Sequence, residues 1–181
     1  EKFFARYDAG IFMRSLSKNA EASFLRTFIF GVEDSLVSTV GLLSGVAAAN
    51  VPRETLFLPG IVLIFVEAFS MAAGSFLSER SAETFLKKDS KASSMSLVSG
   101  VIMFFSYFVS GFIPLFPYLV IPSAAAFLVS IGCSLIALFI LGLASGYISR
   151  SSMLANAFRM MIIGGLAIAV GVVVGSLVVA V

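Results

Sequence analysis

Three carboxylates, Glu33, Asp34 and Glu67, lie inside stretches that otherwise read as membrane-spanning helices. The first two fall in FIFGVEDSLVSTVGLLSGVAAAN. The third falls in LFLPGIVLIFVEAFSMAAGSFLS, one helical turn before Met71. A charged side chain at the centre of a bilayer helix costs roughly 2.5–3.5 kcal/mol even on insertion scales. Three of them call for a compensating role, and an ion or proton pathway is the usual one. Counted from a first span starting near Phe28, Asp34 lies on the order of 9 Å along the helix axis. Counted from a second span ending near Ser78, Met71 lies on the order of 10 Å from the same membrane face. Asp34 and Met71 therefore share a level, with Glu67 one turn deeper on the helical face of Met71. Carboxylate with thioether is a mixed hard and soft donor set. It suits a first-row divalent ion such as Fe(II) better than Mg(II) or Ca(II), which take all-oxygen shells.

Each of these residues also has a plainer reading. A methionine in a membrane helix usually packs, and an aspartate near a helix start can pair with Arg26 or cap nearby backbone. Glu33 points about 100° away from Asp34 on the helix and faces either an interface or Arg26. Ser38, Thr39, Ser44 and Ser70 either bond back to helix carbonyls or line a wet path. Glu79 and Glu83, one turn apart, either meet a metal at the pathway entrance or form a solvated face beside Arg80, Lys87 and Lys88. The chain has no histidine and one cysteine, Cys133, which excludes a Cys/His zinc site within one chain.

The elements that must position these groups are helices in a membrane. Of 181 residues, 59% are hydrophobic and 12% charged, with a strongly positive mean hydropathy. A soluble domain of this size would expose far too much apolar surface. Five runs reach the ~20 residues needed to cross the hydrocarbon core: Phe28–Asn50, Thr55–Ser78, Ser96–Pro117, Pro122–Ile148 and Met153–Val181. The expected fold is an all-α integral membrane protein. It comprises an N-terminal segment, 1–24, and a five-helix transmembrane domain, 25–181. In the N-terminal segment apolar and basic residues alternate at three- and four-residue steps, which suits an amphipathic helix on the membrane surface or on the ends of the bundle. Lys2, Arg6, Arg14, Lys18 and Arg26 precede the first span. Arg80, Lys87, Lys88 and Lys91 follow the second, Arg150 and Arg159 follow the fourth, and only Arg53 falls in the opposite set of loops. The positive-inside rule then puts the N-terminus in the cytosol. Gly41 with Gly45, Gly142 with Gly146 and Gly171 with Gly175 are spaced for close helix approach, within the chain or in a dimer. Pro114, Pro117 and Pro122 are expected to end span three and begin span four.

The segments FGVEDSLVSTVGLLSGVA, SMAAGSFLSERS, SGFIPLFPYL and FRMMIIGGLAIAVGVVVG resemble, in order and spacing, those of the vacuolar iron transporter family. The resemblance spans essentially all of 25–181. It implies five transmembrane helices, a homodimer and export of Fe(II) or Mn(II) from the cytosol in exchange for protons. It aligns Asp34 with the family's metal-path aspartate and Met71 with its path methionine. Three departures stand out. Ser35 replaces the glycine common after the aspartate, and Ser75 replaces an acidic residue. The segment 79–95 is far too short for the cytosolic metal-binding domain of plant-type members.

The expected function is therefore transport and not enzymatic catalysis. Asp34, Met71 and Glu67 are candidate metal residues, and Glu33, Glu79 and Glu83 are candidate proton or entrance residues. No bound cofactor is expected, since Fe2+ or Mn2+ would be the cargo. The expected partners are membrane lipid, a second copy of the chain and the metal ion, with no nucleic acid. The location would be the cell membrane in a prokaryote and a vacuolar-type membrane in a eukaryote. The competing readings are an anchor subunit of a larger metal-handling protein, and a proton or monovalent-cation pathway that would not need Met71.

Overall fold

A computed structural model describes residues 2–49, 51–85, 92–121 and 125–179. They form five helices: α1 (Lys2–Ala48), α2 (Arg53–Phe85), α3 (Ala92–Val120), α4 (Ala125–Ile148) and α5 (Met153–Val179). Each contains a stretch long and apolar enough to cross a membrane, respectively Ala20–Ala48, Thr55–Phe85, Met95–Val120, Ala125–Ile148 and Met153–Val179. The chain is an all-helical, multi-pass membrane protein.

Burial is arranged for lipid. Leu58, Phe69, Leu128 and Val178 present their side chains outward, while Ser35, Thr39, Ser44, Ser96, Ser99, Ser130 and Ser134 are buried. With lipid as apolar as leucine, there is little hydrophobic gain in hiding leucine between helices, so small and hydroxyl-bearing residues share the contacts with Leu36, Leu43, Ile64, Leu115 and Leu138. The hydroxyls of Thr39, Ser44 and Ser99 have no hydrogen-bond partner among the described residues, and others are bonded in two ways. Ser110 and Ser134 donate back to the carbonyls of Ser106 and Ser130 one turn earlier. Ser35 and Ser130 cross between helices, to the carbonyls of Tyr107 (2.6 Å) and Pro114 (2.6 Å).

The central helices are α1 and α3, in contact with each other and with α4. α2 lies mainly on α3 and touches α1 more lightly, while α5 lies on α1 and α4, so α2 and α5 occupy opposite edges. The α1–α5 contact is built on glycine. A Cβ on Gly45 would lie 2.8 Å from the carbonyl oxygen of Gly171, and one on Gly175 would collide with that of Gly45. The Gly41/Gly45 and Gly171/Gly175 pairs thus face each other within a single chain. Gly142 and Gly146 likewise seat the backbones of Ala157 and Met153 across the α4–α5 hairpin. That hairpin closes α4 with a complete Schellman turn. Ser151 N donates to Gly146 O (3.0 Å) and Arg150 N to Tyr147 O (3.3 Å), with Arg150 in the left-handed region at φ 53°.

Two expectations change. Pro114 and Pro117 do not end span three: both lie inside α3, which continues to Val120. A proline removes one backbone donor and clashes with the preceding turn, but neighbouring groups in a bundle re-satisfy the backbone. Here Ser130 of α4 ties the Pro114 carbonyl to the neighbouring helix, and the helical bonding resumes beyond the second proline, Ile121 N closing on Pro117 O at 2.9 Å. Pro122, expected to open span four, lies outside the described residues. Secondly, the backbone of the N-terminal segment runs into the first span without a break, as part of α1. The side chains that would make it amphipathic lie, up to residue 19, outside the described ones.

Candidate functional site

The midpoints of three spans bring the chemistry together. Asp34 is central in Ala20–Ala48, Tyr107 in Met95–Val120, and Glu67 and Met71 flank the centre of Thr55–Phe85. Asp34 and Glu67 are half-buried, and each lies close enough to act electrostatically on the other and on Tyr107. Tyr107 is fully buried. Its hydroxyl lies 2.7 Å from Ser38 Oγ, with either oxygen able to donate. Its carbonyl accepts the Ser35 hydroxyl. This contact needs Gly111, where a Cβ would come 2.9 Å from Ser35 Oγ and 2.8 Å from Ile64. Ser35, one of the departures from the family pattern, therefore ties α1 to α3 directly beside Asp34.

On the side of this cluster nearer the basic end of the bundle lies a cavity of about 400 Å³. Its lining includes Arg26, Met71, Ser75, Ser78, Glu79 and Met103. Met71 and Glu79 are thus brought into one space. Met71 stands one turn nearer the basic end than Glu67 and its thioether faces the cavity, while Glu67 is the α2 carboxylate whose charge reaches Asp34. Met103 adds a second thioether, its sulfur packed near Gly31 of α1. Glu33 is half-buried next to Asp34 and feels that residue's charge.

Of the two readings of Glu83, the structure removes one. It is 7% exposed, so it forms no solvated face. One carboxylate oxygen accepts the Ser96 hydroxyl of α3 at 2.5 Å, and the other is buried with no hydrogen-bond partner among the described residues. Glu83 joins α2 to the start of α3.

Sequence reasoning passed over Tyr107 and Met103. They are four residues apart on α3 and so share a face. A hydroxyl and a thioether repeating at one turn within the phenylalanine-rich stretch VIMFFSYF was the signal available. Among the described residues no three His, Cys, Asp or Glu side chains converge. The donor set at the centre is two carboxylates with thioethers and hydroxyls.

The chain matches the VIT family over residues 25–97 and 83–176. It is similar to "Vacuolar iron transporter 1" of Arabidopsis thaliana, 25% identical over 203 aligned positions covering 79% of this chain and 81% of the plant protein. It is similar to the protein of that name from Tulipa gesneriana, 23% identical over 203 positions covering 79% and 82%. "Vacuolar iron transporter homolog 1" of Oryza sativa subsp. japonica is 41% identical over 59 residues, 33% of this chain and 25% of that protein. The two longer alignments exceed the length of this chain while covering 79% of it, so those plant proteins carry stretches without a counterpart here. With five membrane helices in place and both matched regions covering the carboxylate cluster and its neighbours, the chain belongs to the VIT family.

Proposed function

We propose that this protein moves divalent iron, and manganese by the same chemistry, across a membrane and out of the cytosol in exchange for protons. The observation that carries the reading is the pair Asp34 and Glu67, two carboxylates near the centre of their spans, within electrostatic reach of each other and beside a cavity that carries Met71. A dication in a low-dielectric interior needs fixed negative charge, and two carboxylates supply it. Protons and metal compete for the same carboxylate oxygens, because a ligating carboxylate must be deprotonated. Metal loading then releases protons, and proton loading releases metal. That competition is the physical basis of exchange.

In this reading residues 25–181 are the transport unit and residues 1–24 a cytosolic extension. The basic end, with Arg26 and Arg80, faces the cytosol by the positive-inside rule. Metal enters the 400 Å³ cavity past Glu79, contacts the Met71 and Met103 thioethers, and reaches Asp34 and Glu67. The carboxylates are half-exposed along the side where α2 touches α1 only lightly, and a second copy of the chain would cover them. We therefore take the working unit to be a homodimer with α1 and α2 near its interface.

The test is purified protein in liposomes, with a metal-quenched dye and a pH dye inside. Wild type should carry Fe(II) one way and protons the other. Glu67→Gln keeps shape but removes the titratable group, and should lower proton movement more than metal binding. A wild-type protein that passes protons or Na+ but no Fe(II) would sink the metal reading in favour of a simple cation pathway.

A further inference from the structure

The inner end of the 400 Å³ cavity holds a donor pair of its own. Met71 of α2 and Met103 of α3 both line it, and Met103 is 4% exposed, so its thioether is enclosed by protein and not by lipid. Two close approaches set the methionines side by side. A Cβ on Gly100 would lie 3.2 Å from the Ala72 carbonyl oxygen and 3.3 Å from the Phe76 Cβ, so the α2 and α3 backbones nearly touch there. Met71 precedes Ala72, and Met103 lies one turn beyond Gly100. Because consecutive spans run antiparallel, both steps lead away from the basic end and leave the two residues on the order of 3 Å apart in height. From the other side, Gly31 of α1 leaves room for the Met103 sulfur, which would lie 3.0 Å from a Cβ placed there. Among the described residues, the carboxylate of this lining is Glu79, eight residues and about 12 Å along α2 from Met71. It stands toward the mouth, where Arg26 offsets its charge. Beside the thioethers the lining is uncharged, with Phe30, Gly74 and Ser75.

A neutral thioether pair discriminates by charge and by softness. The cost of taking an ion out of water grows steeply with its charge, and thioethers return no charge to a dication. A polarisable sulfur suits a soft monocation instead. We propose that Met71 and Met103 form a soft-metal site at the inner end of the cavity, for a monovalent ion of the Cu(I) class, distinct from the Asp34/Glu67 pair. This goes beyond the iron reading and does not depend on it. Fe(II) touches the thioethers in passing and is held by carboxylates, whereas Cu(I) is held by the two sulfurs themselves. Ser75, one turn from Met71 on the same face of α2, offers a hydroxyl oxygen for a third contact.

The experiment uses the full chain, purified in detergent and halide-free buffer, with Cys133→Ser throughout to remove its one thiol. Ag(I), a redox-stable ion of the same charge and softness as Cu(I), is titrated by calorimetry and should bind at one ion per chain. Met71→Leu and Met103→Leu should each weaken that binding about tenfold or more, the scale on which even groups behind a metal ligand act. Met153→Leu changes an exposed methionine at the start of α5 and should leave the affinity unchanged. Asp34→Ala should lose Mn(II) affinity and keep Ag(I) affinity within threefold. If the leucine variants do not fold, X-ray absorption at the silver edge of the Cys133→Ser protein decides: two sulfur neighbours support the site, and a shell without sulfur overturns it. No Ag(I) binding, binding that survives both leucine substitutions, or an equal loss in Met153→Leu overturns it as well. An Ag(I) loss in Asp34→Ala equal to that in Met103→Leu overturns its separateness from the carboxylate pair. A wild-type protein that moves no Fe(II) but binds Ag(I) as described overturns the iron reading and leaves this site standing.

Discussion

Helix α1 carries two faces that solve opposite problems. Toward α5 it presents Gly41 and Gly45, and the backbones approach until a single Cβ would strike a carbonyl. Toward α2 and α3 it presents Asp34, Ser35 and Ser38, which engage the Tyr107 backbone and hydroxyl and the charge of Glu67. The first face removes side chains so that dispersion contacts and close approach hold the bundle in lipid. The second keeps polar side chains there despite their cost. One face is packing and the other is chemistry, so substitutions should sort by face into loss of fold and loss of transport.

The largest effect should come from the polar face. Asp34→Ala removes one of the two charges that compensate a dication and should lower Fe(II) transport by about a hundredfold, equivalent to about 2.7 kcal/mol in the barrier. The folded yield and melting temperature in detergent should stay near wild type. A transport rate within threefold of wild type would show that Glu67 suffices and that the pair is not a unit.

Next comes the packing face. Gly45→Ala places a methyl 2.8 Å from the Gly171 carbonyl, a backbone atom that cannot swing aside. Overpacking of this kind costs about 1–3 kcal/mol. It should lower the melting temperature by roughly 2–10 °C for a chain of this size. Gly165→Ala, where nothing lies within 4 Å of the added carbon, is the control and should be neutral or mildly stabilising. Equal melting of the two variants would remove the distinction between a glycine seam and incidental glycine.

Met71→Leu tests the boundary between the two kinds of residue, since leucine matches the volume but lacks the sulfur. Transport of Fe(II) should fall about fivefold, close to 1 kcal/mol, with stability unchanged. If Met71→Leu alters melting and not transport, Met71 is a packing residue. The smallest effect lies in the α4–α5 turn. Arg150 holds a left-handed conformation at φ 53°, which costs a non-glycine residue roughly 1 kcal/mol. Arg150→Gly should relieve that strain and raise the melting temperature by about 2–4 °C. A lower melting temperature would mean that the arginine side chain contributes more than its backbone strain costs.

The sequence by itself determined the class, the number of spans and which carboxylates lie inside them. Runs of twenty or more apolar residues have only the helix as a spanning solution, because lipid leaves no other partner for the backbone. Asp34, Glu67 and Met71 could be read because a charge or its i, i+4 neighbour inside such a run stands out against it. Tertiary structure alone decided the rest. The glycine spacings said that helices approach closely, but only the bundle shows that Gly41 and Gly45 are used by Gly171 and Gly175 of the same chain. Pro114 and Pro117 read as helix ends because a proline's local effect is to break. Only the bundle shows that α3 continues past them, held to α4 there through Ser130. Glu83 read as an open choice between solvent and entrance, because sequence does not say which side of α2 the next helix will cover; α3 covers it. Tyr107 gave almost no signal, since a tyrosine among phenylalanines looks like packing. Its hydrogen bond to Ser38 and its nearness to two carboxylates exist only once three helices from distant parts of the chain meet at mid-span.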